Sequence, residues 1–94
     1  AWFEASPAQL RERVLGQMRR LGWTEVREEQ GVIRAQVVTP LLRFTDDVEV
    51  RIEARDGGSV LHVRSASRLG KADLAANQRH VRELLEPLQP DSRL

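Results

Sequence analysis

Val48, Val50, Ile52 and Ala54 alternate with Asp47, Glu49, Arg51, Glu53 and Arg55, and this run constrains the fold more than any other. Successive side chains of a strand point to opposite faces, so the pattern demands a sheet with one dry face and one wet face. Something apolar elsewhere in the chain must cover the dry face. Two segments have the spacing to do so. Leu10, Val14, Met18 and Leu21 recur on one helical stripe, with Arg11, Arg13, Arg19 and Arg20 off it, which predicts a helix over about 7–21. Ser6-Pro7-Ala8-Gln9 provides its start, with Ser6 as N-cap, Pro7 in the first turn and Gln9 closing a capping box, and Gly22 provides its left-handed stop. Gly16 falls off the stripe at a cost of about 1 kcal/mol against alanine. A second stripe, Leu74, Val81, Leu84, Leu85 and Leu88, predicts a helix over about 73–86, with Asp73 near its positive end and Pro87 stopping it.

Between the helices the period is two. Runs 23–29 and 32–39 flank Gln30-Gly31 and predict a hairpin in which Val26 faces Ala35 and Thr24 faces Val37 on the inner side, while Trp23 meets Val38 on the outer side. Thr39-Pro40 ends that strand, and Leu41-Leu42-Arg43-Phe44 follows as an apolar connection. A second hairpin turning on Gly57-Gly58 pairs Ala54 with Leu61, Ile52 with Val63, Val50 with Ser65 and Val48 with Ser67 on the dry face. On the wet face it pairs Glu53 with His62, Arg51 with Arg64 and Asp47 with Arg68. The expected fold is therefore α+β over residues 1–94 as one domain. It is a two-layer sandwich with a four-stranded antiparallel sheet and two helices on one face, in the order α-β-β-β-β-α.

Composition narrows the function classes. A chain of 94 residues without cysteine holds one core, no disulfide framework, no thiolate metal site and no thiol nucleophile. Fifteen basic residues, all arginine but Lys71, balance fourteen acidic ones to a net charge of +1, too even for the broad cationic field of a nucleic-acid binder. The strands also lack stacking aromatics, so no nucleic-acid partner is expected. The glycines fit no phosphate loop, and the two histidines, His62 on the outer sheet face and His80 on the wet side of the second helix, are too far apart for a shared metal. No cofactor and no metal are expected, and enzymatic activity is left open with the weight against it. No apolar run approaches the roughly 18 residues of a membrane span. Ala1-Trp2-Phe3 opens the chain without methionine, which leaves a cytoplasmic and a membrane-anchored or extracytoplasmic setting both open.

Polar residues converge at one end of the expected sheet. Ser65 and Ser67 point to the dry face, and Asn77 falls inside the apolar stripe of the second helix, where a buried amide needs partners. Asp46 and Asp47 are strand neighbours on opposite faces and cannot act as a dyad. Asp47 is expected to pair with Arg68, and Asp46 to tilt inward and accept backbone N–H groups from the turn at 67–73. Asp46, Ser65, Ser67, Arg68, Asp73 and Asn77 thus form the candidate ligand-binding set. Trp23, Leu41, Leu42 and Phe44 lie outside the core stripes and form a candidate partner surface for an unidentified protein or a small apolar ligand.

The runs Phe44-Thr45-Asp46-Asp47-Val48, Arg64-Ser65-Ala66-Ser67-Arg68-Leu69-Gly70 and Asp73-Leu74-Ala75-Ala76-Asn77 resemble, in that order and spacing, the family known as domain of unknown function 1499 over about 37–85. The chain lacks the upstream cysteine-bearing segment frequent in that family. It has Ala72 where serine is frequent, Ala75 where glycine is usual, and His80 where arginine is frequent. The resemblance implies a small bacterial or plastid-type domain, often beside a membrane segment or lipid anchor, with no established activity. Two functions are expected in competition. One is a non-enzymatic interaction or ligand-binding module, the soluble part of an anchored or secreted protein. The other is a small-molecule-binding or hydrolytic domain using the polar residues at the sheet end.

Overall fold

A computed structural model describes residues 1–39, 43–68 and 74–88. Its elements run β1 (Trp2–Phe3), α1 (Pro7–Arg20), β2 (Thr24–Glu29), β3 (Val32–Val38), β4 (Thr45–Arg55), β5 (Gly58–Ser67) and α2 (Leu74–Leu85), followed by a 3-10 turn at Glu86–Leu88. The sheet is antiparallel and has five strands in the order β1-β5-β4-β3-β2, not the expected four. The element order therefore begins with a strand, and α-β-β-β-β-α is incorrect. The added strand is two residues long, too short to show any period of its own. It pairs Trp2 with Val60 and Phe3 with Ser59, and Phe3 is buried in the core.

Both helices lie over one sheet face. Leu10, Val14 and Met18 of α1 and Leu84 of α2 are fully buried in one cluster with Ile33 and Ala35 of β3, Val48 and Val50 of β4, and Leu61 of β5. The start of α1 is a capping box: Ser6 Oγ accepts from Gln9 N at 3.2 Å and Gln9 Oε1 accepts from Ser6 N at 3.0 Å. Its end is equally local. Gly22 has φ +74°, its N–H donates to Arg19 O, and Trp23 N–H donates to Met18 O at 3.0 Å, which satisfies two carbonyls of the last turn. Gln17, also buried, ties the helices together by donating from Nε2 to Glu83 O at 3.2 Å. The opposite sheet face stays wet and is laced by ion pairs, among them Arg34 with Glu49, Arg55 with Glu53 and Arg68 with Asp47.

Both hairpin registers differ from expectation. In the first, Glu29 pairs with Val32 as a Gln30-Gly31 turn requires, but the pairing shifts between Arg27 and Thr24, so that Thr24 faces Gln36 rather than Val37. Glu25 takes φ +52° at this irregularity. The extra residue leaves Val26 exposed instead of facing Ala35 and turns Trp23, expected on the outer face with Val38, into the core at 7% exposure. In the second hairpin the turn is Asp56-Gly57, both with positive φ, and Arg55 pairs with Gly58. Every expected pair therefore slides by two residues. Faces are kept, but Ile52 meets Leu61, Val48 meets Ser65 and Asp46 meets Ser67. Arg64 now faces Glu49, which removes the expected juxtaposition of Arg51 and Arg64.

Gly58 explains the choice of turn. A Cβ on Gly58 would lie 2.3 Å from the Phe3 carbonyl oxygen and 2.5 Å from the Trp2 ring, so only glycine lets β1 dock there. Trp2 is held in place by its Nε1–H, which donates to Arg55 O at 2.9 Å. Behind it, the buried Ser59 hydroxyl donates to Ala5 O at 2.8 Å and anchors the passage from β1 into α1.

Candidate functional site

The register just described carries four of the six expected polar residues to one end of the dry face. Asp46 projects inward from β4, Ser65 and Ser67 project inward from β5, and Asn77 descends from α2. Ser65 Oγ donates to Asn77 Oδ1 at 2.5 Å, and Asn77 Nδ2 donates to Ser67 Oγ at 3.1 Å. The amide thus bridges two hydroxyls two residues apart on one strand, which locks the start of α2 to β5. Arg68 does not join them. It lies on the wet face and grips Asp47 through Nε at 2.8 Å and Nη2 at 3.0 Å. That guanidinium holds the Asp47 carboxyl below its ordinary range, chiefly by hydrogen bonding, against partial desolvation that acts the other way. Asp73 lies outside the described residues, as does 69–72, so the turn expected to supply N–H groups to Asp46 is not described.

Asp46 has a different partner. His80 Nε2 lies 2.8 Å from Asp46 Oδ2, and the two residues are 3% and 1% exposed. This corrects the placement of His80 on the wet side of α2. The face of α2 turned to the core carries Ala76, Asn77, His80, Leu84 and the following Leu88, while Val81 and Leu85 are only half-buried on its flank. His80 is three residues after Asn77 and four before Leu84, so spacing alone placed it on the inner stripe once Asn77 was accepted there. Trp23, drawn inward by the irregularity in β2, closes the pair from the side with ring centroids 6.2 Å apart and planes at 78°. Asp46 Oδ1 is buried and has no hydrogen-bond partner among the described residues.

A carboxylate, an imidazole and two serines within one cluster suggest a hydrolytic triad, but their connections run otherwise. The imidazole spends Nε2 on Asp46, and both serine hydroxyls are engaged with Asn77. Among the described residues neither serine hydroxyl is hydrogen-bonded to the imidazole, the contact that a serine nucleophile needs. Among the described residues no group of three or more His, Cys, Asp or Glu could hold a metal ion. What opens to solvent beside the cluster is a groove of about 470 Å³ between α2 and β5, lined by Ser65, Asn77, Gln78, Val81, Arg82, Leu85 and Glu86. Its lining combines the Ser65–Asn77 pair with the apolar Val81 and Leu85, and with one cation and one anion. Asp46 and His80 are not part of its lining.

The expected partner surface is dispersed. Trp23 belongs to the core and presents nothing to a partner. Leu41 and Leu42 lie outside the described residues. Phe44 is partly exposed, with its backbone fixed by two hydrogen bonds to Thr39, and the exposed Val38 lies near the same end of β3.

Comparison with known proteins adds one positive finding. Residues 2–88 match the family described as protein of unknown function (DUF1499), a span that takes in β1 and α1 as well as the motif region. No curated protein and no solved structure matches the chain.

Proposed function

This chain belongs to the DUF1499 family of proteins of unknown function, and we propose that it is a non-enzymatic binding module that takes its ligand in the groove between α2 and β5. The observation that carries this reading is a division of labour between neighbouring groups. The titratable pair, Asp46 with His80, is sealed in the core, whereas the groove beside it is lined by the apolar Val81 and Leu85 together with an amide and a hydroxyl. A site of this composition holds a ligand by apolar contact and orients it by a few polar groups. The hydrolytic alternative asks for a base with an approach to substrate, and the buried imidazole has its facing nitrogen already committed to Asp46.

The test is heteronuclear NMR of the domain titrated with a mixed set of short peptides and small amphiphiles. The expected result is chemical-shift change centred on Ser65, Val81 and Leu85, abolished by Leu85→Lys, a change at a half-buried position that leaves the spectrum folded. Shift changes centred elsewhere, around Val38 and Phe44 for example, or none with any compound, overturn the proposal.

A further inference from the structure

The wet face of the sheet holds a charge imbalance that its ion pairs do not cancel. In the registers given above, β4 presents Asp47, Glu49, Arg51, Glu53 and Arg55 to this face, β3 presents Arg34, and β5 presents His62, Arg64 and Arg68. Each carboxylate is committed. Asp47 Oδ2 accepts from Arg68 Nε at 2.8 Å, Glu49 accepts from Arg34, and Glu53 accepts from Arg55 Nη2 at 3.0 Å and meets His62 Nε2 at 3.1 Å. Among the described residues this leaves the exposed Arg51 and Arg64 without an ion pair. Arg51 lies opposite His62 and Arg64 opposite Glu49, so the two arginines are diagonal neighbours with backbones about 7–8 Å apart, within reach of one small anion. Like charges set this way repel, and a local rule broken without a compensating contact is expected where a chain meets a ligand. The surface is hollowed there. A depression of about 350 Å³ is lined by Glu49, Arg51, His62, Val63 and Arg64, and Arg51 and His62 also line a second of about 530 Å³ that reaches Gln30 and Val32.

We infer that this hollow is a second binding site, separate from the groove between α2 and β5, and that it takes the phosphoryl group of a small phosphomonoester between Arg51 and Arg64. Charge selects the ligand class. Two uncompensated guanidinium groups call for two negative charges on one compact group, and a phosphomonoester carries about −1.5 to −2 at neutral pH where a carboxylate carries one. Donor geometry agrees. A guanidinium presents a planar fork of N–H groups that grips two oxygens at once, and two such forks suit a tetrahedral group with three free oxygens. Glu49, which also lines the hollow, is engaged by Arg34. Because Arg51 and His62 line both depressions, the ester substituent has a path towards Val32 and Gln30. The acids of the same face select size. An anionic membrane or a nucleic acid lying across the sheet would press its charges against Asp47, Glu49 and Glu53, which flank the two arginines. A small ligand meets only the hollow.

The probe is phenyl phosphate, titrated into the isotope-labelled domain at low ionic strength and followed by NMR at the backbone amides and the arginine Nε–H groups. Saturating shifts are expected at Arg51, His62 and Arg64, with Val81 and Leu85 unmoved. Arg51→Gln and Arg64→Gln are each expected to weaken binding tenfold or more. Arg20→Gln, the same loss of charge at an exposed position of α1, is expected to weaken it less than twofold. Benzoate, with the same ring and a single charge, is expected to bind at least tenfold more weakly than phenyl phosphate. Binding that Arg20→Gln reduces as much as Arg51→Gln does, or benzoate that binds as tightly as phenyl phosphate, would overturn the site in favour of diffuse charge attraction. Shifts centred on Val81 and Leu85 would overturn it while supporting the groove. No shift with phenyl phosphate would overturn it and leave the groove reading untouched. Co-sedimentation with vesicles containing phosphatidic acid, without saturable binding of phenyl phosphate, would identify a membrane as the occupant and overturn the small ligand.

Discussion

Replacing His80 with leucine tests the sealed pair most severely. In the native domain the Asp46 carboxyl group is 1% exposed, Oδ1 has no hydrogen-bond partner among the described residues, and Oδ2 meets His80 Nε2 at 2.8 Å. Leucine fills a similar volume beside Trp23 but removes the bond to Oδ2, the one hydrogen bond to this carboxylate among the described residues. Removing one member of a buried pair costs about 3–5 kcal/mol, because the survivor is desolvated and uncompensated. Domains have stabilities of roughly 0.05–0.15 kcal/mol per residue, so the loss is a large part of the total here. With a urea m-value of about 1 kcal/mol/M, the expected fall in midpoint is about 3 M or more in circular-dichroism melts. Asp46→Leu alone strands the imidazole and costs about 1–3 kcal/mol. The double variant, with two apolar side chains in contact, is expected to be more stable than His80→Leu, because an apolar replacement of a whole buried pair is close to neutral. A His80→Leu midpoint shift below about 1 M, or a double variant that loses the sum of the single losses, would refute the argument that the pair is a mutually dependent unit.

Four other substitutions give distinct outcomes. Asn77→Ala removes the bridge between Ser65 and Ser67 and is expected to cost about 1–3 kcal/mol in the same melts, as two inward hydroxyls lose their shared partner. Gly58→Ala forces a Cβ against the Phe3 carbonyl and is expected to cost about 1–3 kcal/mol, with amide exchange at Leu61 accelerated before that of the central strands. Gly16→Ala is expected to stabilise by about 0.5–1 kcal/mol, since the added methyl meets nothing within 4 Å and the position is helical; a loss of stability would contradict that geometry. Asp47→Asn tests pH dependence. The folded carboxyl is held below its ordinary value of 3.8, so its pairing with Arg68 stabilises the fold above that value, and the contribution fades as pH falls through and below it. With both side chains largely solvated the contribution is expected to be below about 1 kcal/mol, and the acid limb of a stability-against-pH curve should flatten by that amount in the variant.

Features governed by neighbouring residues were legible in the chain itself. The capping box of Ser6 and Gln9, the left-handed Gly22, the one-sided alternation of β4 and the inward Asn77 each depend on contacts within a turn or on a short period. What was illegible depends on remote contacts. Gly57-Gly58 and Asp56-Gly57 are both good two-residue turns, and the choice between them is made by Trp2, more than fifty positions away, which needs a glycine beneath its ring. Trp2–Phe3 is a strand only because β5 has an edge to receive it. The site followed the same rule. Ser65, Ser67 and Asn77 gather because facing survives a two-residue slide, and for the same reason Arg68 meets Asp47 on the wet face, the ion pair that the sequence predicts. Periodicity places His80 in solvent because histidine counts as polar there, whereas the carboxylate that draws it inward is on another element.

The chain's two tryptophans occupy opposite environments. Trp2 is 49% exposed on the sheet edge over Gly58, while Trp23 is buried edge-on against an imidazole. Each is therefore an intrinsic optical reporter of a separate event. Trp2 is expected to emit to the red, open to quencher, and to report fraying of the terminal strand, and Trp23 is expected to emit to the blue and to report opening around Asp46 and His80. With Trp2→Phe and Trp23→Phe variants, a fluorimeter can time the edge and the core independently during a single unfolding experiment.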